Sequence, residues 1–116
     1  MGRKMNKLFF HDSDIDLDTI EENHLTRKIK ARGGKLMIVE VIFKEGVVGA
    51  EHQHPHEQIV YCLSGEFEFT IDGAKTHFLP GDSAYIPSSV KHGALCLREG
   101  RLLDIFTPQR EDFLKK

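Results

Sequence analysis

A chain of 116 residues suits one compact domain and cannot furnish two independent cores of ordinary size. With 40% hydrophobic and 29% charged residues, it has the composition of a globular protein rather than a disordered one. A formal charge of -2 leaves no basic stripe to follow a phosphate backbone, which argues against nucleic acid as a partner, and no apolar run is long enough to span a membrane as a helix.

The opening MGRKMNKLFFHDSDID has basic residues but no apolar leader core or small-residue cleavage site, so a cytoplasmic protein is expected. Residues 11–23, HDSDIDLDTIEEN, hold six carboxylates among thirteen positions and read as a solvated, loosely ordered lead-in. We place that lead-in at residues 1–25 and the folded domain at 26–116. The basic run RKIKAR at 27–32 follows as an expected edge strand, its lysines discouraging stray pairing. In KLMIVEVIFK, Met37, Val39, Val41 and Phe43 share one face while Leu36, Ile38, Glu40 and Ile42 share the other, which predicts a strand covered on both sides. EFEFTID alternates cleanly, with Phe67, Phe69 and Ile71 on one face, and Asp72-Gly73 supplies a hairpin turn. Further turns are expected at Glu45-Gly46, Ser64-Gly65, Pro80-Gly81-Asp82, Pro87-Ser88-Ser89 and Glu99-Gly100. Short strands at such regular intervals predict an all-β sandwich or barrel. After Pro108, QREDFLKK is long enough for about two helical turns. Cys62 and Cys96 lie far apart without CxxC spacing and read as reduced, buried side chains.

Three of the seven histidines fall in HQHPHEQ, residues 52–58. In extended backbone, residues two apart point to the same side, so His52 and His54 can aim imidazole nitrogens at one point. Gln58 can add a side-chain carbonyl oxygen, and antiparallel packing can bring His92 opposite the pair. Three imidazoles and a neutral oxygen suit one divalent transition metal ion: zinc, nickel, iron or manganese. Glu57 is a rival ligand, although strand parity turns it away from His52 and His54. His56 is expected beside the site, and His11, His24 and His77 are read as surface or packing residues.

These residues carry a resemblance. GVVGAEHQHPHEQIVYCLSGEF is similar to the first signature of the cupin family, with Gly46, His52, His54, Gln58 and Gly65 at its positions. GDSAYIPSSVKH is similar to the second, through Gly81, Pro87 and His92. The resemblance implies a single cupin barrel, the double-stranded β-helix or jelly roll, with a short C-terminal helical turn. Gln58 stands where the usual glutamate would be, Ser89 replaces a glycine and Cys96 replaces the frequent asparagine. An amide in place of a carboxylate leaves the ion its full charge, which favours polarising an oxygen-rich ligand.

Near the C-terminus, LLDIFTPQREDFL puts Asp104 in step with Leu102 and Phe106, while Leu103 and Ile105 take the other face. A carboxylate inside an apolar strand needs a partner or a task. Two readings stand side by side: proton exchange with a ligand in the barrel, or a structural ion pair with a nearby cation. Arg110, past Pro108, can reach the site and grip a carboxylate through its planar fork. Across residues 27–114 the chain resembles the KdgF-type cupins, which linearise unsaturated uronates released from pectin or alginate. That resemblance implies a metal on His52, His54, Gln58 and His92, and active-site roles for Asp104, Phe106 and Arg110. It implies a small sugar acid as substrate and a homodimer as the assembly. The competing expectations are a metal-dependent cupin dioxygenase and a sugar-binding module without catalysis.

Overall fold

The computed structural model describes residues 7–22 and 24–114. Among them are eight strands: β1 (Asp18–Glu21), β2 (Leu25–Gly33), β3 (Leu36–Phe43), β4 (Val48–His52), β5 (Glu57–Ile71), β6 (Ala74–Phe78), β7 (Ser83–Ile86) and β8 (His92–Thr107). One helical turn, α1 (Glu111–Leu114), follows.

All strand pairs are antiparallel, in the order β1-β2-β3-β8-β5-β6, with β4 added to β8 and β7 to β5. The two long strands run through both halves of the barrel. In one half the second part of β8 lies between β3 and the start of β5, and β7 flanks β5. In the other half the first part of β8 lies between β4 and the end of β5, and β6 closes the side. This is the jelly-roll cupin barrel expected from the sequence.

The passage from one half to the other corrects two sequence expectations. Ser64-Gly65 and Glu99-Gly100 are not chain-reversing turns but bends inside continuous strands, where the β5–β8 register shifts repeatedly between Cys62 and Phe67. At the bend the strands approach so closely that a Cβ on Gly65 would lie 2.6 Å from the Gly100 Cα. Only a residue without Cβ fits there, and Gly65 also has φ +83°. The turns at Asp72-Gly73 and Gly81 form as expected, with positive φ at Asp72, Gly73 and Gly81.

The lead-in is more ordered than its composition suggests. Asp18–Glu21 pairs with β2 over Leu25 to Arg27, so β2 is interior at its start and an edge only beyond that point. A 3-10 turn at Asp12–Asp14 lies against that edge, with Asp12 bridging Lys28 (3.1 Å) and Lys30 (2.9 Å). The physical reason is charge complementarity: the acidic segment pairs with the basic strand that follows it. α1 has one turn within the described residues; the end of the predicted helix, residues 115–116, lies outside them.

Phe43, Val60, Cys62, Phe67, Ile86 and Cys96 are among the residues that fill the space between the halves. Met37, Val39 and Phe106 form a smaller cluster on which Phe113 and Leu114 of the tail pack. Each such side chain, moved from water into the core, contributes about 1.5–3 kcal/mol. Both cysteines are buried and unbridged. On the outer face of β3 Glu40 is buried between Arg101 (2.7 Å) and Lys30 (3.3 Å), whereas Leu36 is exposed, so the expected cover does not reach the start of the strand. No helix among the described residues is long and apolar enough to cross a membrane.

Candidate metal centre and active site

Strand pairing assembles the histidines. His52 ends β4 directly opposite His92, which opens β8, and their rings are 4.4 Å apart. His54 lies just past β4 in a loop rather than on the strand, yet its ring is 4.9 Å from that of His92. That loop is tied to the turn before β8: Ser89 N–H donates to the His54 carbonyl (2.7 Å) and Ser88 Oγ to the Pro55 carbonyl (2.6 Å). Ser89 has φ +63°, which explains why glycine is the usual choice at this position of the cupin signature.

The hydrogen bonds around the rings fix their tautomers. Each Nδ1 faces a backbone carbonyl, which can only accept: His52 to Ala50 (2.9 Å), His54 to His56 (3.0 Å) and His92 to Val90 (2.9 Å). Nδ1 therefore carries the proton, and Nε2 presents a lone pair. One ligand atom from each of the three histidines lies within 4.8 Å of the others. His92 Nε2 is buried without a hydrogen-bond partner. Burial, with the charges of His52, His54 and Arg110, lowers the His92 pKa to about 4, and burial followed by the Arg110 charge lowers that of His54. Neutral rings with converging lone pairs and an orphaned buried nitrogen are what a metal ion requires, so the donor set fits one.

Gln58, on β5 opposite Phe106 of β8, joins this cluster to Asp104. Its Nε2 donates to Asp104 Oδ1 (2.8 Å), which leaves Oε1 facing His54 Nε2 at 3.0 Å. Two lone-pair atoms facing each other at that distance repel unless a cation lies between them, which again fits a metal. Glu57 is turned outward and accepts from Tyr85 Oη (2.6 Å), so of the two rivals it is Gln58 that adjoins the histidines. His56 stacks edgewise beside His54 at 5.5 Å. His11, His24 and His77 are exposed, and His77 pairs with Glu66.

Beside the histidines opens a cavity of about 270 Å³, lined by His52, Gln58, His92, Asp104, Phe106 and Arg110 together with apolar residues of β2, β3 and β8. Asp104 is half-buried, and its exposed part looks onto this cavity. Desolvation pushes its pKa up to about 7, against the pull of the Gln58 hydrogen bond and the Arg110 charge. A carboxyl in that range can both give and take a proton near neutrality. Of the two readings of Asp104, a directly contacting ion pair is not what the structure shows; its hydrogen bond goes to an amide. Phe106 is buried, with its ring 5.6 Å from His54. Arg110 stacks on Phe113 (4.1 Å) and Phe106 (5.0 Å), and its Nε and Nη2 are taken by Asp112 (3.0 and 2.8 Å). Among the cavity residues that the sequence reading missed are Arg27 of β2, Ile20 of β1 and Phe113 of α1. They lie in segments read as a polar edge strand, a loosely ordered lead-in and a short helical tail, where no local pattern points to a cavity.

Comparison with known proteins agrees with this architecture. Residues 39–106 match the model of the cupin domain family (Cupin_2). The structure of KdgF from Halomonas sp. is similar at a TM-score of 0.87 and 37% identity, covering 93% of this chain and 99% of that one. An RmlC-like cupin from Shewanella frigidimarina is similar at a TM-score of 0.88 and 35% identity, covering 93% and 96%. No curated protein sequence matches. From the family match and the near full-length likeness, the chain belongs to the cupin family, as a member of the KdgF type.

Proposed function

We propose that this cupin is a metal-dependent enzyme that converts cyclic 4,5-unsaturated uronates, from pectin or alginate breakdown, into their linear keto form. The observation that carries the reading is the Gln58 amide, which joins the three-histidine cluster to a cavity carboxyl of raised pKa, Asp104. The likeness to KdgF supports it. A cavity of about 270 Å³ suits a single sugar ring better than an oligosaccharide.

His52, His54, Gln58 and His92 would hold one divalent transition metal ion, which when bound supplies Lewis-acid stabilisation to substrate oxygens. The reaction is an isomerisation and balances without a co-reactant. The anomeric hydroxyl gives up its proton, the bond from the anomeric carbon to the ring oxygen breaks, and the former ring-double-bond carbon gains a proton as the enol becomes a ketone. Asp104 carries this proton in the proposed reaction; that Oδ1 is engaged by Gln58 while Oδ2 lies outside that bond supports the role. Phe106 packs along one side of the ring, and Arg110, held by Phe113 and Asp112, orients the substrate carboxylate.

Because the ring double bond absorbs in the ultraviolet, loss of absorbance reports opening. Metal-loaded protein is expected to abolish the absorbance of unsaturated galacturonate, or of its alginate-derived counterpart, faster than chelator-treated protein. Equal rates in the two samples overturn the proposal, and activity that vanishes without oxygen turns it into a dioxygenase. We further infer a cytoplasmic protein, from two unbridged buried cysteines. We also infer a homodimer that covers the apolar row Ile38, Ile105, Ile59 and Tyr85 on the outer sheet face, which light scattering tests.

A further inference from the structure

We propose that Arg27 is a second carboxylate-binding residue of the cavity, completing with Arg110 a clamp built on the Phe113 ring. This rests on the uronate reading only for the identity of the acid.

Three observations converge on it. Arg110 cannot offer the Nε–Nη2 edge of its guanidinium to a ligand, because Asp112 occupies both atoms at 3.0 and 2.8 Å. That edge matches a carboxylate side-on, so Arg110 is left with its end-on edge, the Nη1 hydrogens and the second hydrogen of Nη2. Arg27 is in the opposite condition. Its Nε is buried and makes no hydrogen bond, and its nearest carboxylate, Asp18 Oδ2, stands 3.7 Å away, beyond hydrogen-bonding distance. A buried, unspent guanidinium donor is costly unless something uses it.

Geometry places the Arg27 side chain at the right cavity. Arg27 lines the same space as Arg110, Asp104 and the histidines. Its guanidinium lies 3.8 Å from the Phe113 ring centre, and that of Arg110 lies 4.1 Å from the same centre. One aromatic ring therefore contacts both cations and favours each through its quadrupole. Each cation already has a carboxylate beside it, Asp18 for Arg27 (3.7 Å) and Asp112 for Arg110 (2.8 Å), so what the pair offers an acid is spare hydrogen-bond donors rather than uncompensated charge. Asp18, paired with Arg27 across β1 and β2, forms an ion pair with Nε at 3.7 Å and positions the side chain, while Nε keeps its hydrogen-bond capacity. β1, drawn from the acidic lead-in, is in this way part of the substrate site.

The test is binding of galacturonate, an acid without the ring double bond, and of galactose, its neutral counterpart, to metal-loaded protein by calorimetry, alongside turnover of the unsaturated acid. Arg27→Gln is expected to weaken galacturonate about tenfold or more, as loss of a charge-assisted bond implies, and to leave galactose unchanged. KM rises by a similar factor while kcat stays within about twofold. Arg27→Lys keeps the charge and loses the fork, so it moves both quantities in the same direction by less, and it stands in should the glutamine variant fail to fold. Unchanged galacturonate affinity in both variants overturns the clamp. So does equal weakening of acid and neutral sugar, which marks a structural role. A wild-type protein that binds galacturonate through Arg27 yet never opens the unsaturated ring leaves the clamp standing and refutes the proposed reaction.

Discussion

Where β5 and β8 pass from one half of the barrel to the other their backbones approach closely, and this sets a strong expectation for Gly100→Ala. A Cβ at Gly100 would lie 2.2 Å from the Ser64 carbonyl oxygen and 2.6 Å from the Gly65 Cα. Ordinary contacts between such atoms lie near 3.5 Å, so the strands must part by about 1 Å. Both neighbours are backbone, so no side chain can swing aside. The separation opens the core at Cys62 and Cys96, both fully buried, and strains the ladder on either side. Overpacking of about 1–3 kcal/mol and one or two lost strand hydrogen bonds give a cost of about 3–5 kcal/mol. That is a large share of the stability of a domain this size, and Tm should fall by at least about 10 °C. Metal affinity should fall as well, because His92 and Asp104 lie on opposite arms of the bend in β8. Gly73→Ala is the control: open space surrounds its Cβ position, so only the positive φ is penalised, at about 1–2 kcal/mol. Urea unfolding followed by circular dichroism gives both values. A Gly100→Ala cost equal to or below that of Gly73→Ala would refute the contact argument.

Asp104→Asn keeps an acceptor for Gln58 and removes the proton carrier, so turnover should drop ~100- to 10,000-fold with metal content and Tm preserved; a threefold change or less removes Asp104 from the chemistry. Gln58→Glu keeps an oxygen toward the histidines but sets a second carboxylate against Asp104, so metal should be retained, by elemental analysis, while activity falls at least about tenfold. Glu40 gives a pH prediction. Burial pushes its carboxyl up, but hydrogen bonds and charges from Arg101 and Lys30 outweigh burial and hold it below 4.5. A depressed pKa stabilises the fold above the ordinary value and loses that contribution as pH falls through the folded value. Glu40→Gln should therefore cost about 1–2 kcal/mol near neutral pH, less than for a fully buried pair because both cations keep water contact, and the gap in Tm should close as pH falls through the lowered Glu40 pKa.

The histidine cluster was the most legible part of the sequence, because HxH spacing and β geometry act within a few residues and need no knowledge of the rest of the fold. His92 was placed by motif, and its pairing with His52 across β4 and β8 explains why the motif works. Turn residues were read less well. Gly73 and Gly81 reverse the chain, whereas Gly65 and Gly100 do not, and the difference is invisible locally: the latter pair are glycine because another backbone passes close by, a tertiary fact. The second cation was hidden for a similar reason. Arg27 stands in a run of alternating basic residues whose outer members, Lys28 and Lys30, do face an edge and bind Asp12. Composition gave no sign that one residue earlier the strand turns interior, because the covering strand comes from the acidic segment.

The substitution that departs most from the general cupin pattern follows from the same geometry. A glutamate at position 58 could present oxygen to a metal, but ionised it has no hydrogen to donate. The amide of Gln58 is asymmetric, and the network uses the asymmetry: N–H toward Asp104, oxygen toward His54. Asp104 is thereby held in one orientation beside the histidines by a neutral neighbour. A carboxylate there would raise the Asp104 pKa further by repulsion and favour a shared proton between the two acids. The amide instead lets Asp104 titrate near neutrality, where a group that must take a proton and later return it works best. Under the proposed reaction the glutamine is the residue that lets one ion and one carboxyl act on the same small ring, a requirement that a cupin without proton transfer at this position would not have.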